Sequence, residues 1–107
     1  MYTRVVEVTA KPGKARELSR TISDKVLSLL KSQTGFVDEI TLVSDQHPDE
    51  ITALSFWKTR EDAERYHRET FPKINDLIRN HVEGTPEVRT FDVEYSSLHK
   101  VTAVKAA

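Results

Sequence analysis

The order in which hydrophobic periodicity changes along the chain is the feature that most constrains its fold. Residues 2–9 alternate between apolar and polar positions, the two-residue period of a β-strand. After a Pro-Gly break, apolar residues recur at spacings of three and four over residues 14–31, which predicts an amphipathic helix. Two further alternating runs, residues 36–45 and 51–57, flank a polar turn and predict a β-hairpin.

The second half of the chain repeats this order. Thr59, with Asp62 three residues later, forms a weak capping box that predicts the start of a second helix. Pro72 predicts an interruption or restart of that helix, which is expected to continue to Gly84. Alternation over residues 86–98 predicts a long last strand. The resulting order of elements is βαββαβ.

This order predicts the fold class and suggests an oligomeric state. A βαββαβ chain forms a ferredoxin-like α+β antiparallel sheet with both helices on one face. Strand positions on both sides are apolar, with Phe36, Ile40 and Leu42 predicted on one side of the second strand and Val37, Thr41 and Val43 on the other. The face without helices would then expose a large apolar patch, so we expect a two-fold symmetric homodimer.

Length and composition limit the class of protein. The chain has 107 residues, which predicts one domain over residues 1–98 and a loose C-terminal segment over residues 99–107. Sixteen basic and seventeen acidic residues are interspersed, which argues against nucleic acid or an anionic membrane as a partner. No apolar stretch has the length of a membrane span, so we expect a cytoplasmic protein.

Two classes of chemistry have no support in the sequence. Cysteine is absent, which excludes disulfides, thiolate metal sites and thiol nucleophiles. The four histidines show none of the short spacings typical of metal ligands, so we predict neither a metal site nor a resident cofactor.

Aromatic side chains and an imidazole converge only in residues 55–78. Trp57 ends the third predicted strand at a position prone to exposure, and Tyr66 and Phe71 lie on the following helix. These three side chains are predicted to form the walls of a site for a small aromatic ligand; the alternative is that they are ordinary core residues. His67 is the candidate general base, because its pKa range suits proton removal from a phenol; the alternative is an exposed helix histidine.

Three segments resemble the antibiotic biosynthesis monooxygenase family. They are Lys11-Pro12-Gly13-Lys14, Gly35-Phe36 at the start of the second strand, and the strand-to-helix run F-W-K-T-R-E-D-A over residues 56–63. The resemblance implies a dimeric α+β barrel. Members of the family include quinone-forming oxygenases that use no cofactor, heme-degrading enzymes and an isomerase of a sugar phosphate.

The resemblance transfers functional residues only in part. Trp57 matches the strand-end tryptophan of the quinone-forming members, whereas Ala53 and Ala63 replace their Asn and Tyr. Tyr66 replaces the helix Trp of the heme-degrading members, and the first strand has no Asn, so heme degradation is not expected. Three hypotheses stay open: oxygenation of a small aromatic or quinol-like molecule without metal or flavin, a non-catalytic dimeric binding module, and a small-molecule isomerase.

Overall fold

A four-stranded antiparallel sheet forms the centre of the molecule in the computed structural model, which describes residues 1–101. The strand order is β2-β3-β1-β4, so the predicted ferredoxin-like α+β fold is confirmed. The strands are β1 (Tyr2–Ala10), β2 (Phe36–Val43), β3 (Glu50–Trp57) and β4 (Val82–Asp92).

Helices cover one face of this sheet. The first helical segment contains α1 (Ala15–Thr21), a π-helical turn (Ile22–Val26) and α2 (Leu27–Lys31). The second contains α3 (Arg60–Glu69), α4 (Phe71–Ile78) and a 3₁₀ turn (Arg79–His81). Buried apolar residues from both segments and from the covered sheet face form one core. Within residues 1–101, no helix is long and apolar enough to cross a membrane.

The start of α3 is fixed by the cap that the sequence predicts. Thr59 Oγ1 accepts a hydrogen bond from the Asp62 backbone N–H at 3.1 Å, which confirms the cap. Gly35 lies against this turn with φ of +81°, and a Cβ there would come within 2.0 Å of Asp62 Oδ2. Only glycine fits this position, because both the backbone angle and the space exclude a side chain.

The predicted interruption at Pro72 is also confirmed. The helix breaks at Thr70, and Pro72 lies in the first turn of α4, where its missing N–H leaves no hydrogen bond unmade. Thr70 Oγ1 donates to Gln33 Oε1 at 3.0 Å. This bond ties the break to the loop that follows α2.

The predicted bounds of the last helix and strand are wrong. The helix ends at Ile78 and the 3₁₀ turn at His81, before the predicted end at Gly84, and β4 runs from Val82 to Asp92 instead of 86–98. The reason is pairing with β1, since Ala10 lies opposite Val82 and Tyr2 opposite Asp92. The partner strand therefore sets the limits of β4, and local alternation does not. Of the predicted loose segment 99–107, residues 102–107 lie outside the described part of the chain.

The predicted side of Phe36 is wrong as well. The β2–β3 register shifts between Phe36 and Asp38, so that Phe36 lies opposite Trp57 on the covered face. Their rings pack edge to face with centroids 5.8 Å apart. Ile40 and Leu42 remain on the open face. A β-bulge thus separates residues that simple alternation places together.

Candidate functional site

A polar row crosses the helix-covered face of the sheet. Strand register places Glu39 opposite Ser55, Ser55 opposite Arg4, and Arg4 opposite Thr90. Directly paired residues point to the same side of a sheet, so all four side chains share this face. The neighbouring row contains Val6, Ala53 and Val88 among its members. Arg4 and Ser55 need a structural or functional reason for this position, because both polar side chains are buried.

Arg4 is the central residue of this row. It is only 2% exposed, and its guanidinium carbon lies 4.5 Å from the Phe71 ring centroid and 5.0 Å from that of Tyr66. Its Nη2 donates to Nδ1 of His67 at 2.8 Å. Within residues 1–101, no carboxylate oxygen lies within 4.0 Å of this guanidinium. Burial lowers the pKa of Arg4, as expected for a cation removed from water.

His67 lies over Arg4 on the solvent side. Its ring stacks on Phe71, with centroids 5.5 Å apart. A guanidinium only donates hydrogen bonds, so Nδ1 is the acceptor and the neutral ring carries its proton on Nε2. Desolvation, followed by the positive charge of Arg4, lowers the pKa of His67 below its ordinary value. The neutral imidazole that a general base requires is therefore favoured here.

Tyr66 and Phe71 line a small internal cavity on the other side of Arg4. Its volume is about 50 Å³, and the other walls are mostly apolar side chains of the sheet and of both helical segments, with Arg4, Glu39 and Ser55 as the polar members. Such a space holds a few water-sized molecules and is far too small for an aromatic ring. Burial raises the pKa of Tyr66 to about 12, so its phenol stays protonated.

Trp57 packs against Tyr66 and does not itself line the cavity. It has no exposed surface, so the expectation of an exposure-prone side chain at the end of β3 is wrong. Its indole stacks on Tyr66 with centroids 4.8 Å apart, and Nε1 donates to Ser55 Oγ at 2.9 Å. Packing of a large aromatic ring at the helix–sheet junction accounts for this burial.

An open groove lies outside His67, between α3 and strands β1 and β4. Its volume is about 690 Å³. Arg4, Arg60 and Arg68 line it together with Glu64, the one carboxylate of its lining among residues 1–101, which accepts a hydrogen bond from Arg60 Nε at 2.8 Å. The groove is therefore cationic. Arg4 lines both the groove and the internal cavity, and it separates the two spaces.

Glu39 occupies the far end of the polar row. The side chain is half-buried, lines the internal cavity and accepts a hydrogen bond from the Thr41 hydroxyl. Burial raises the pKa of this carboxyl group. In the sequence alone, the adjacent acidic residues Asp38 and Glu39 suggest two solvent-exposed carboxylates. The strand register shows instead that the Glu39 side chain lies on the face covered by the helices.

Sequence reasoning therefore missed two residues of the site. Arg4 shares a strand side with Tyr2, Val6 and Val8, and a charged residue within an inward-facing stripe was the available signal. Glu39 carried a similar signal, because it alternates in phase with Thr41 and Val43. Among residues 1–101, no group of three His, Asp or Glu side chains is arranged to hold a metal ion.

Comparisons with known proteins agree with the fold. The solved structure of SnoaB, a cofactor-independent oxygenase from Streptomyces nogalater, is similar with a TM-score of 0.74 and 19% identity, covering 92% of this chain and 97% of that one. A protein of unknown function from Nitrosomonas europaea has a TM-score of 0.77 and 13% sequence identity, and the match covers 92% of this chain and 94% of that one. A conserved protein from Methanosarcina mazei has a TM-score of 0.69 and 19% sequence identity, and the match covers 85% of this chain and 91% of that one. At these identities the likeness concerns the fold alone.

Sequence comparison identifies the family. No curated protein sequence matches the chain at a significant level. The family model for antibiotic biosynthesis monooxygenases matches residues 1–72, a stretch that contains β1, Arg4, the β2–β3 hairpin and α3. This match covers well over half of the chain. The protein therefore belongs to the antibiotic biosynthesis monooxygenase family.

Proposed function

We propose that this protein binds a small phenol or quinol beside Arg4 and His67 and oxygenates it without a metal or flavin. The observation that carries the proposal is the hydrogen bond between the buried guanidinium and the neutral imidazole, 2.8 Å long. A base and a cation that meet at one point are suited to remove a phenolic proton and to hold the resulting oxyanion. Family membership and the similarity to a cofactor-independent oxygenase support the same chemistry.

The first step in this proposal is proton transfer to His67. The substrate hydroxyl enters between the two side chains, Nδ1 of His67 takes the proton, and the Arg4 N–H group turns from Nδ1 to the phenolate oxygen. The positive charge of Arg4 favours the phenolate over the phenol. Electron density then rises at the ring carbons conjugated with that oxygen, which prepares them to react with dioxygen.

The oxygenation is balanced without an external reductant. Transfer of electrons from the substrate anion to dioxygen forms a carbon–oxygen bond and gives a hydroperoxide at a carbon that still bears hydrogen. Loss of that hydrogen and cleavage of the O–O bond release water and leave a carbonyl group. One oxygen atom enters the product and the other leaves as water, so the substrate supplies all the electrons.

The two spaces on either side of Arg4 fit different reactants. The groove has room for a substituted ring, whereas the internal cavity of about 50 Å³ does not. The cavity walls are mostly aliphatic and aromatic, and small apolar cavities bind small apolar molecules. We assign the substrate to the groove and dioxygen to the cavity, with the Arg4–His67 pair between them.

Oxygen uptake with a panel of naphthalenediols tests this proposal. Wild-type protein should consume dioxygen above the rate of autoxidation, and label from ¹⁸O₂ should appear in both the product and water. His67→Gln should lower the rate at least about 100-fold, the usual contribution of a general base. Arg79→Gln, at an exposed position after α4, is the control and should retain activity. Uptake that is unchanged in His67→Gln would remove His67 from the mechanism.

A non-catalytic binding module is the second candidate. It is favoured by the burial of Trp57, Tyr66 and Phe71, which pack against one another as core residues do. Such a module would show a rise in melting temperature with a bound naphthol and no oxygen uptake. An isomerase on this scaffold would convert its substrate with no oxygen uptake.

We also propose that the protein is a homodimer. On the open sheet face, Ile40 is 41% exposed, Leu42 50% and Phe91 47%. Val5 and Leu54 lie between them in the strand register. A monomer seldom leaves a contiguous apolar surface of this kind in water, and a second copy of the same face would cover it.

A further inference from the structure

Arg4 has a buried positive charge that the described part of the chain does not neutralise. Within residues 1–101, no carboxylate lies within salt-bridge distance of it, and the polar side chains it contacts are the neutral imidazole of His67 and the phenol of Tyr66. Tyr66 cannot supply the charge, because its phenol stays protonated. Glu39, at the far side of the cavity, bonds to Thr41 instead. Buried ions in proteins normally have a partner of opposite charge, so this arrangement lacks one.

The surroundings of Arg4 point to the kind of partner that is missing. Arg60 and Arg68 line the groove that leads to it, and Glu64, the only acidic group of that lining in the described part of the chain, already bonds to Arg60. The flat faces of Phe71 and Tyr66 hold the guanidinium plane by cation–π contacts at 4.5 and 5.0 Å. A fixed, planar guanidinium at the end of a cationic groove is suited to bidentate recognition of an oxyanion.

We propose that the groove between α3 and β4 is a binding site for the oxyanion of an aromatic acid, with Arg4 as its bidentate partner. This inference deepens the proposed function, since it gives the charge of the substrate, but it requires binding alone. The two oxyanions considered for the ring are a carboxylate and a phenolate. Both would draw Nη2 of Arg4 away from His67 and free Nδ1 to accept a proton, so that ligand binding would activate the base.

Calorimetry at about pH 7.5 with three matched naphthalene probes tests the charge of the ligand. We expect 2-naphthoate to bind at least about tenfold more tightly than naphthalene-2-carboxamide, the difference made by one charge-assisted hydrogen bond. The third probe, 2-naphthol, separates the two sources of the oxyanion. If it binds as tightly as naphthoate, the site takes a phenolate, whose proton passes to His67 or to the buffer. If it binds as weakly as the amide, the site takes a carboxylate. Equal affinity for all three probes would overturn the inference.

Variants locate the site. Arg4→Met should abolish the preference for naphthoate over its amide, whereas Arg79→Gln removes the same charge from an exposed position after α4, outside the groove, and should leave the preference unchanged. A second measurement uses wild-type protein, in case Arg4→Met does not fold: naphthoate should shift the NMR signals of the Arg4 guanidinium and the His67 ring. Preserved preference in Arg4→Met, or shifts confined to other residues, would overturn the inference. Oxygen uptake is not used here, so this result and the test of oxygenation can fail independently.

Discussion

Two adjacent rows of the sheet, one residue apart along each strand, face opposite sides of the molecule. On the covered side the row runs Glu39, Ser55, Arg4, Thr90; on the open side it runs Ile40, Leu54, Val5, Arg89. Arg4 is buried without an acidic partner, whereas Arg89 is half-exposed and bonds to Glu7. On the open side, the apolar side chain of Ile40 is exposed to solvent.

This distribution is the reverse of the usual one, in which charges face water and apolar side chains face the core. We interpret each reversal as a surface that lacks its partner. On the covered face, Arg4 lacks an anion. On the open face, His99 contacts Asp38 and Phe56, but Ile40 and Leu42 lack a cover. The four predictions that follow test one face or the other, and each includes a control elsewhere in the chain.

The largest effect is expected at Trp57, under the helices. Trp57→Ala should lower the free energy of unfolding by about 3–5 kcal/mol, because it empties a fully buried site between Tyr66 and Phe36. Leu77→Ala, on the outer side of α4, should cost about 1 kcal/mol or less. Urea unfolding followed by circular dichroism measures both variants. Similar losses would mean that the covered face is loosely packed.

A charge placed on the open face should weaken the dimer. Leu42→Lys should weaken the dimer by about 2 kcal/mol or more, since it places an unpaired charge in an apolar interface. Leu77→Lys makes the same change on the helix side and should leave the dimer intact. Sedimentation equilibrium at micromolar concentration measures both variants. A wild-type protein that sediments as a monomer would contradict the proposed pairing.

Replacement of Arg4 should raise the free energy of unfolding, whereas replacement of Trp57 should lower it. Arg4→Met should raise the free energy of unfolding by about 1 kcal/mol or more, because an apolar side chain of similar length replaces a buried cation. His67 lies at the surface, so water can take the place of its lost hydrogen bond. Arg89→Gln should change stability by about 0.5 kcal/mol or less. A destabilised Arg4→Met would indicate a structural role for the guanidinium.

The smallest effect is expected from the pH dependence of His67. Its pKa in the folded chain is lowered from the ordinary 6.5, so the unfolded chain binds the proton more tightly. The neutral His67 ring therefore contributes stability that is fully present above pH 6.5 and is lost as the pH falls from there through the lower pKa of the folded chain. His67→Gln should lose less stability than wild type between about pH 7.5 and 5.5. His47→Gln, which removes an imidazole from the hairpin turn, is the control; an unchanged slope in His67→Gln would contradict the lowered pKa.

The sequence predicted most of the fold because local patterns determine most of it. The alternation in β1, the cap at Thr59 and the restart at Pro72 depend on neighbouring residues alone. The side of Phe36 and the limits of β4 depend on other strands. A bulge inserts one residue without a strong sequence signal, and pairing with β1 decides where β4 begins and ends.

The candidate site was less predictable, because it consists of contacts between distant residues. Tyr66, His67 and Phe71 are close together in the sequence, on either side of the break between α3 and α4, and attract attention together. Arg4 is more than sixty residues away, and only the antiparallel register of the sheet and the packing of α3 bring it to His67. A single charge within a strand gives no indication of such a partner.

The π-helical turn has a consequence for how sites on this fold can change in size. The backbone N–H of Leu27 bonds to the Ile22 carbonyl, a spacing of five residues, so this turn contains one residue more than an α-helical turn. Ile22 and Val26 from this turn line the cavity. Removal of one residue would rotate α1 against α2 by about 100° and present a different wall. The same deletion in a strand would turn every later side chain to the other face. Chain length in the helix, rather than side-chain identity, therefore offers a route to altered specificity that leaves the polar row of the sheet intact.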